Sequence, residues 1–239
     1  EGDLDVKETE GITVTKEDGK TTIVAEGMGA HGSTPEKGVN AAVKLFEAVK
    51  DAGIGGDLEQ MIHFILEKIG TETNGKSLDI CWTDEETGQT TLNLGVVDCT
   101  PEKLFFTLDI RYPKNGDREA LLEEIDVKKY PKDAVKKHAE AYGLNANVES
   151  EGKLLYVPKD SELIQKLMRV YKEETGRDDQ PIAIGGGTYA KAFDNMVAFG
   201  PTFPGEPDVI HQPNECADVE KMMLSYQIIA AAMYEIAQK

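Results

Sequence analysis

The chain's 239 residues are enough for one large domain or two ordinary ones around a buried core, which excludes a disulfide-stapled miniprotein. Its 40% hydrophobic and 29% charged residues are the balance of a soluble globular protein, and no apolar run approaches the roughly 18–20 residues of a membrane-spanning helix. The 44 acidic against 26 basic side chains give a formal net charge of -18, a field that repels phosphate backbones and anionic lipid, so neither nucleic acid nor membrane is expected as a partner.

The chain opens Glu1-Gly2-Asp3-Leu4 with neither an initiator Met nor a signal sequence, so it is expected to be part of something longer. Residues 11–17 and 20–26 alternate β-branched with polar side chains around Asp18-Gly19, which predicts an antiparallel hairpin. A Gly/Ser/Thr/Pro loop runs on to Gly38. Val39, Ala42, Val43, Phe46 and Val49 then recur at helical spacing up to Gly53. A second helix is predicted over 57–70, with Leu58, Met61, Ile62, Ile65, Leu66 and Ile69 on one packing face.

Residues 90–97 and 103–111 read as two strands joined through Cys99-Thr100-Pro101-Glu102. Helical patterns fill 117–142 with an interruption near Pro131, and a last strand is predicted over 145–151. Residues 1–155 therefore read as α+β, two ferredoxin-like sheet-plus-helix layers over about 1–70 and 71–155. Beyond a boundary near Tyr156 the pattern changes. A helix over 160–175, strands over 181–184 and 196–199, a Pro/Gly loop and a helix over 218–237 read as α/β units of a largely parallel sheet. Cys81, Cys99 and Cys216 are odd in number and scattered, which favours a reducing compartment, the cytoplasm.

Gly27-Met28-Gly29-Ala30-His31-Gly32 matches G-x-G-x-x-G after a strand. That strand belongs to a hairpin, and Pro35 and Gly38 fall where a phosphate-binding helix would already run, so a dinucleotide site is rejected in favour of a turn. His31, flanked by glycine, is either a hydrogen-bond donor to a developing oxyanion or a solvated loop histidine. Arg111 ends a strand in Asp109-Ile110-Arg111-Tyr112-Pro113. Its planar fork suits bidentate capture of a carboxylate, and a salt bridge to Asp109 or a neighbour is the alternative. The backbone N–H groups of Gly185, Gly186 and Gly187 can converge on a carboxylate or phosphate, or the turn is only a tight strand-to-helix connection. His211, on a proline-flanked loop before a helix capped near Asp218, has the surroundings of a divalent-metal ligand, but one ligand does not make a site. His63 and His138 read as structural or surface residues, and the acidic runs Asp84-Glu85-Glu86 and Glu123-Glu124 as solvated surface.

Four segments in order carry a resemblance: residues 29–42 (Gly29-Ala30-His31-Gly32-Ser33-Thr34-Pro35 through Ala42), Asp109-Ile110-Arg111-Tyr112-Pro113, Ile184-Gly185-Gly186-Gly187-Thr188-Tyr189, and Ile210-His211-Gln212-Pro213-Asn214-Glu215. Together they resemble the M20 metallopeptidases, dinuclear-zinc aminoacylases and carboxypeptidases, and within them the bacterial PepV-like dipeptidases. The resemblance implies a lid over 1–155, N-terminally incomplete, followed over 156–239 by the α/β C-terminal part of a zinc-binding catalytic domain. It implies that His31 stabilises the tetrahedral oxyanion, that Arg111 holds the substrate's C-terminal carboxylate with help from Gly185, Gly186 and Gly187, and that His211 binds one of two zinc ions.

The family's His-x-Asp motif, bridging Asp and adjacent Glu pair are unmatched in this sequence. A hydrolytic zinc centre needs several ligands and a base, so the chain is expected to be inert alone, the C-terminal portion of a cytoplasmic dipeptidase roughly twice this length. The expected partners are dipeptides, with the lid's sheet edges offering a route to self-association. An N-acyl-amino-acid deacylase or desuccinylase of the same family, and a noncatalytic association or ligand-binding module, are the alternatives.

Overall fold

Asp18 and Gly19 both lie at positive φ, 49° and 74°, as the two central residues of a type I′ hairpin turn must. They join β1 (Ile12–Glu17) to β2 (Lys20–Ala25), with Ile12 opposite Ala25 and Glu17 opposite Lys20. The computed structural model describes residues 4–114, 131–200, 202–207, 209–210 and 214–238. It divides into two units, Glu1–Glu151 and Gly152–Lys239, each with its own apolar core.

In the first unit, α1 (Ala41–Val49) buries Val43, Phe46 and Val49, the i, i+3, i+6 stripe of an amphipathic helix. The second helix, α2 (Gly56–Lys68), buries Met61, Ile62, Phe64 and Ile65. Two short strands, β3 (Thr83–Asp84) and β4 (Gly88–Gln89), form a small hairpin ahead of β5 (Thr91–Thr100) and β6 (Lys103–Arg111), which pair antiparallel with a register shift between Leu94 and Val97. The helical pattern expected over 117–142 is present as α3 (Pro131–Glu140) in its later part, and its earlier part lies outside the described residues.

The packing face expected on α2 omits its largest fully buried side chain. Phe64 is fully enclosed, with the Phe106 ring centroid at 5.7 Å and the Tyr142 ring edge-on at 5.5 Å. Those contacts join a helix, the β5–β6 sheet and the segment after α3 into one core. His63 lies 3.7 Å from Glu67 and His138 3.3 Å from Asp79, so both pair locally with carboxylates.

The strand expected over 145–151 is not formed. The described strands make three separate two-stranded sheets, and this segment pairs with none of them. Asn145 and Asn147 are poor strand formers, and Val148 is left about half exposed.

In the second unit, Ser161 caps α4 (Glu162–Thr175) by accepting the Ile164 N–H at 3.4 Å, and Gly176 ends it at φ 68°, the left-handed conformation of a helix stop. Asp218 caps α5 (Val219–Ala237) by accepting the N–H groups of Glu220 at 2.9 Å and Lys221 at 3.2 Å. The two helices meet through Leu167, Val170, Ile228 and Ala232, while Val219, Tyr226 and Met233 remain exposed along α5. The parallel sheet expected here is absent among the described residues, which form no strand in this unit. A strand needs a neighbour to satisfy its N–H and C=O groups, and neither 181–184 nor 196–199 has one. Ile182 is 83% exposed, whereas Val197 and Phe199 serve as packing side chains against the α4–α5 core. No helix among the described residues is long and apolar enough to cross a membrane.

The Tyr142 hydroxyl donates to Glu67 at 2.5 Å, and this bond, reinforced by burial and by the carboxylate's charge, pushes the phenol up to about 12. A folded-state value above the usual phenol value of about 10 means stability fully present below pH 10 and lost as the pH rises toward 12. Tyr142→Phe is therefore expected to lower the urea midpoint at neutral pH and to flatten its decline between about pH 10 and 12. Parallel midpoint-against-pH curves for the two chains would contradict this.

Candidate functional site

The loop carrying His31 is closed at its neck by backbone. Met28 N–H donates to the Val39 carbonyl and Val39 N–H to the Met28 carbonyl, both at 2.9 Å. The neck leaves no room for side chains. A Cβ on Gly27 would lie 2.5 Å from the Val39 oxygen, and one on Gly38 would lie 2.8 Å from the Met28 oxygen and 2.9 Å from the Ala30 Cβ. Gly27 and Gly38 are thus there for close approach of backbone, and at Gly27 this use satisfies the G-x-G-x-x-G pattern without a phosphate cradle.

Inside the loop, Thr34 N–H donates to the His31 carbonyl at 2.9 Å, and a single 3-10 turn over Pro35–Lys37 brings the chain back. Asn40 fixes its exit. Its Oδ1 accepts from the N–H groups of Ala42 at 3.0 Å and Val43 at 3.3 Å, capping α1, while its Nδ2 donates to the Leu94 carbonyl of β5 at 2.9 Å. The cap is a local feature of the sequence, but the bond to β5 is not, because Leu94 is distant in the chain.

The His31 ring is partly buried. Its Nδ1 lies 2.7 Å from Ser33 Oγ and accepts the Ser33 N–H at 3.3 Å. With a backbone donor aimed at Nδ1, the neutral ring carries its proton on Nε2 and is a hydrogen-bond donor there.

Arg111 is the last residue of β6, opposite Thr91, and Asp109 lies two residues earlier on the same face, opposite Asn93. Both expected readings of Arg111 concern carboxylates, and here a neighbouring one is engaged: Nε lies 3.3 and 3.2 Å from the two Asp109 oxygens and Nη2 2.7 Å from Oδ2. The chain beyond Arg111 is anchored twice. Tyr112 packs edge-on against Trp82 at 6.4 Å, and Lys114 N–H donates to Thr87 Oγ1 at 3.1 Å while its ammonium pairs with Glu86.

That anchor corrects the reading of the acidic run 84–86 as solvated surface. Asp84 builds the β3–β4 turn, accepting from the N–H groups of Glu86 at 3.0 Å and Thr87 at 2.8 Å and from the Thr87 hydroxyl at 2.9 Å. Burial alone would raise its carboxyl, but these bonds and the nearby Lys114 charge outweigh it and hold the group below its usual value. An acidic run looks the same in sequence whether it caps a turn or faces water, and only Glu85 is exposed.

Gly32 brings the two halves together. A Cβ there would lie 2.8 Å from Asp109 Oδ2 and 3.2 Å from Arg111 Nη2, so the His31 loop rests directly on the Asp109–Arg111 pair. The loop that carries the His31 ring thus adjoins the strand end that carries the Arg111 fork, and a ring N–H and a guanidinium are each donors to carbonyl or carboxylate oxygens.

Gly185, Gly186 and Gly187 belong to the second unit, where they precede a 3-10 turn over Tyr189–Ala192 that Thr188 caps by accepting the Ala190 N–H at 3.3 Å. His211 lies outside the described residues. Among the described residues no group of three His, Cys, Asp or Glu side chains fits a metal ion, so the donor set for zinc is not supplied there.

The family model described as peptidase family M20/M25/M40 matches residues 38–235. The chain is 30% identical over 223 residues, 93% of its length, to the protein named "Putative dipeptidase YtjP" of Bacillus subtilis (strain 168), covering 45% of that protein. It is 29% identical over 222 residues to the Beta-Ala-Xaa dipeptidase of Lactobacillus delbrueckii subsp. lactis, covering 92% of this chain and 45% of that one. The chain thus spans about half the length of the curated relatives it matches.

Asn40→Ala removes a helix cap and the bond to Leu94 together, and is expected to destabilise the first unit by about 1–3 kcal/mol in urea unfolding. Asn40→Asp keeps the cap and should cost less. An unchanged midpoint for the Ala variant would show that neither bond holds the loop exit.

Proposed function

Because the chain belongs to peptidase family M20/M25/M40, we propose that it is part of a dipeptidase of the PepV-like kind that hydrolyses dipeptides with a free C-terminal carboxylate. The observation that carries this reading is the seat of Gly32 on the Asp109–Arg111 pair, which sets the His31 loop beside a carboxylate-binding fork. The names of the relatives support the substrate class.

In this reading Arg111 takes the carboxylate, and the His31 Nε2–H donates to the carbonyl oxygen of the scissile amide as charge builds there. Such a clamp admits an exopeptidase substrate and disfavours an internal peptide bond, which offers the fork no free carboxylate. We assign Gly185, Gly186 and Gly187 as backbone donors to a substrate carboxylate and His211 as a zinc ligand. The first unit acts as a lid and the second as part of the catalytic domain. The described residues do not supply a zinc donor set, so no step here passes through the metal. The remaining ligands and the general base are assigned to sequence in the half of the relatives' length that these residues do not match. Three free, exposed cysteines support a cytoplasmic location.

The test is an assay of the polypeptide encoded by the complete gene on Ala-containing dipeptides, their C-terminal amides and N-acetyl or N-succinyl amino acids. Free dipeptides are expected to be preferred, and Arg111→Ala to raise KM for them by about 10- to 100-fold, the loss of charge-assisted bonds, with much less effect on the amides. The 239-residue chain alone should be inactive. Preference for the acylated amino acids, or an Arg111→Ala effect indifferent to the carboxylate, would contradict the proposal.

A further inference from the structure

We infer that Asp109 is the positioning residue of Arg111, and that Gly32 is the residue whose missing side chain admits the His31 loop to the pair. The inference rests on the reading of Arg111 as a carboxylate clamp.

An arginine at a strand end has four side-chain torsions to settle before its fork can meet a carboxylate in two parallel bonds. The backbone is already fixed, because β5 pairs with Arg111 on one side and the Tyr112 and Lys114 anchors follow it on the other. What remains is the side chain itself. Asp109 takes it by the Nε–Nη2 edge through contacts of 2.7–3.3 Å, which fixes the plane and direction of the guanidinium. The two side chains are 27% and 43% exposed, and an ion pair so open to solvent contributes little to folding. Its value lies in orientation: ordering entropy is lost when the chain folds and not when a ligand arrives.

A second effect opposes the first. Asp109 is itself a carboxylate and repels the one Arg111 is to bind. Two bonds at a fixed angle outweigh one half-screened charge at this exposure, so the balance favours tighter binding with Asp109 present.

Gly32 tests the same geometry from the loop side. Its backbone is not in the left-handed region, so alanine is conformationally acceptable there, and the only penalty is the collision of its Cβ with Asp109 Oδ2 and Arg111 Nη2.

The experiment uses the 239-residue chain with nitrogen-15 arginine. Arg111, Arg118, Arg169 and Arg177 are all its arginines, and Arg111→Lys identifies the Arg111 signal. In the unliganded chain Arg111 should show a hindered guanidinium that Asp109→Ala releases, Asp109→Asn partly retains and Gly32→Ala shifts, while the Arg169 and Arg177 signals stay in place as a check on folding. Titration with glycylglycine, with glycylglycinamide as the control, should move the Arg111 signal of the wild type. It should require about tenfold more glycylglycine for Asp109→Ala and an intermediate amount for Asp109→Asn. Equal or tighter binding by both Asp109 variants, with the wild type responding, would overturn the positioning role and leave the clamp standing. A wild-type signal that ignores glycylglycine would remove the clamp reading itself, and the positioning role with it.

Discussion

Two backbone hydrogen bonds between Met28 and Val39 hold the geometry on which the candidate site depends. They close a loop whose interior has little regular structure of its own, and closure confines His31 and Gly32 to one small region of space. Glycine is required at the neck because Gly27 and Gly38 each press against backbone or Cβ atoms across it. Asn40 then converts a closed loop into an aimed one by tying its exit to β5. The remaining links are direct contacts. β5 carries β6, β6 ends in Arg111, and the loop returns to lie on Arg111 through Gly32.

The chemistry of this arrangement follows from the polarity of its parts. Ser33 uses the His31 Nδ1, which leaves the ring a donor at Nε2, and Asp109 engages one edge of Arg111. Both groups are held by near neighbours in sequence, so each is oriented before it meets a ligand. The proposed reaction asks for a donor to a carbonyl oxygen and a fork for a carboxylate, and these two side chains are of the types that could supply them. The chain belongs to the M20/M25/M40 peptidases, and the proposed dipeptide hydrolysis would call on such a surface.

Much of this was legible in the sequence, and the limits have physical causes. Asp18-Gly19 announced the first hairpin because two positive φ angles in succession belong to few residue pairs. α1 and α2 were legible from spacing and α5 from its cap near Asp218, since helix signals are local, and α4 fell within the helix read over 160–175. The strands read over 145–151, 181–184 and 196–199 did not form because a strand exists only if another strand accepts it, and nothing in those short runs encodes the partner. The same distinction applies to the site. His31 and Arg111 stood out by residue type and position, and Asp109 by its place two residues from Arg111. The contact of Gly32 with that pair joins elements far apart in sequence, and a glycine leaves no side chain by which to foresee it.

The most direct test of the account is a nuclear Overhauser measurement on the 239-residue chain, reading from the Gly32 α-protons. Cross-peaks to the side chains of Asp109 and Arg111 are expected alongside those that join Met28 to Val39. Contacts across the Met28–Val39 neck with none from Gly32 to either side chain would show a closed loop seated elsewhere, and would contradict it.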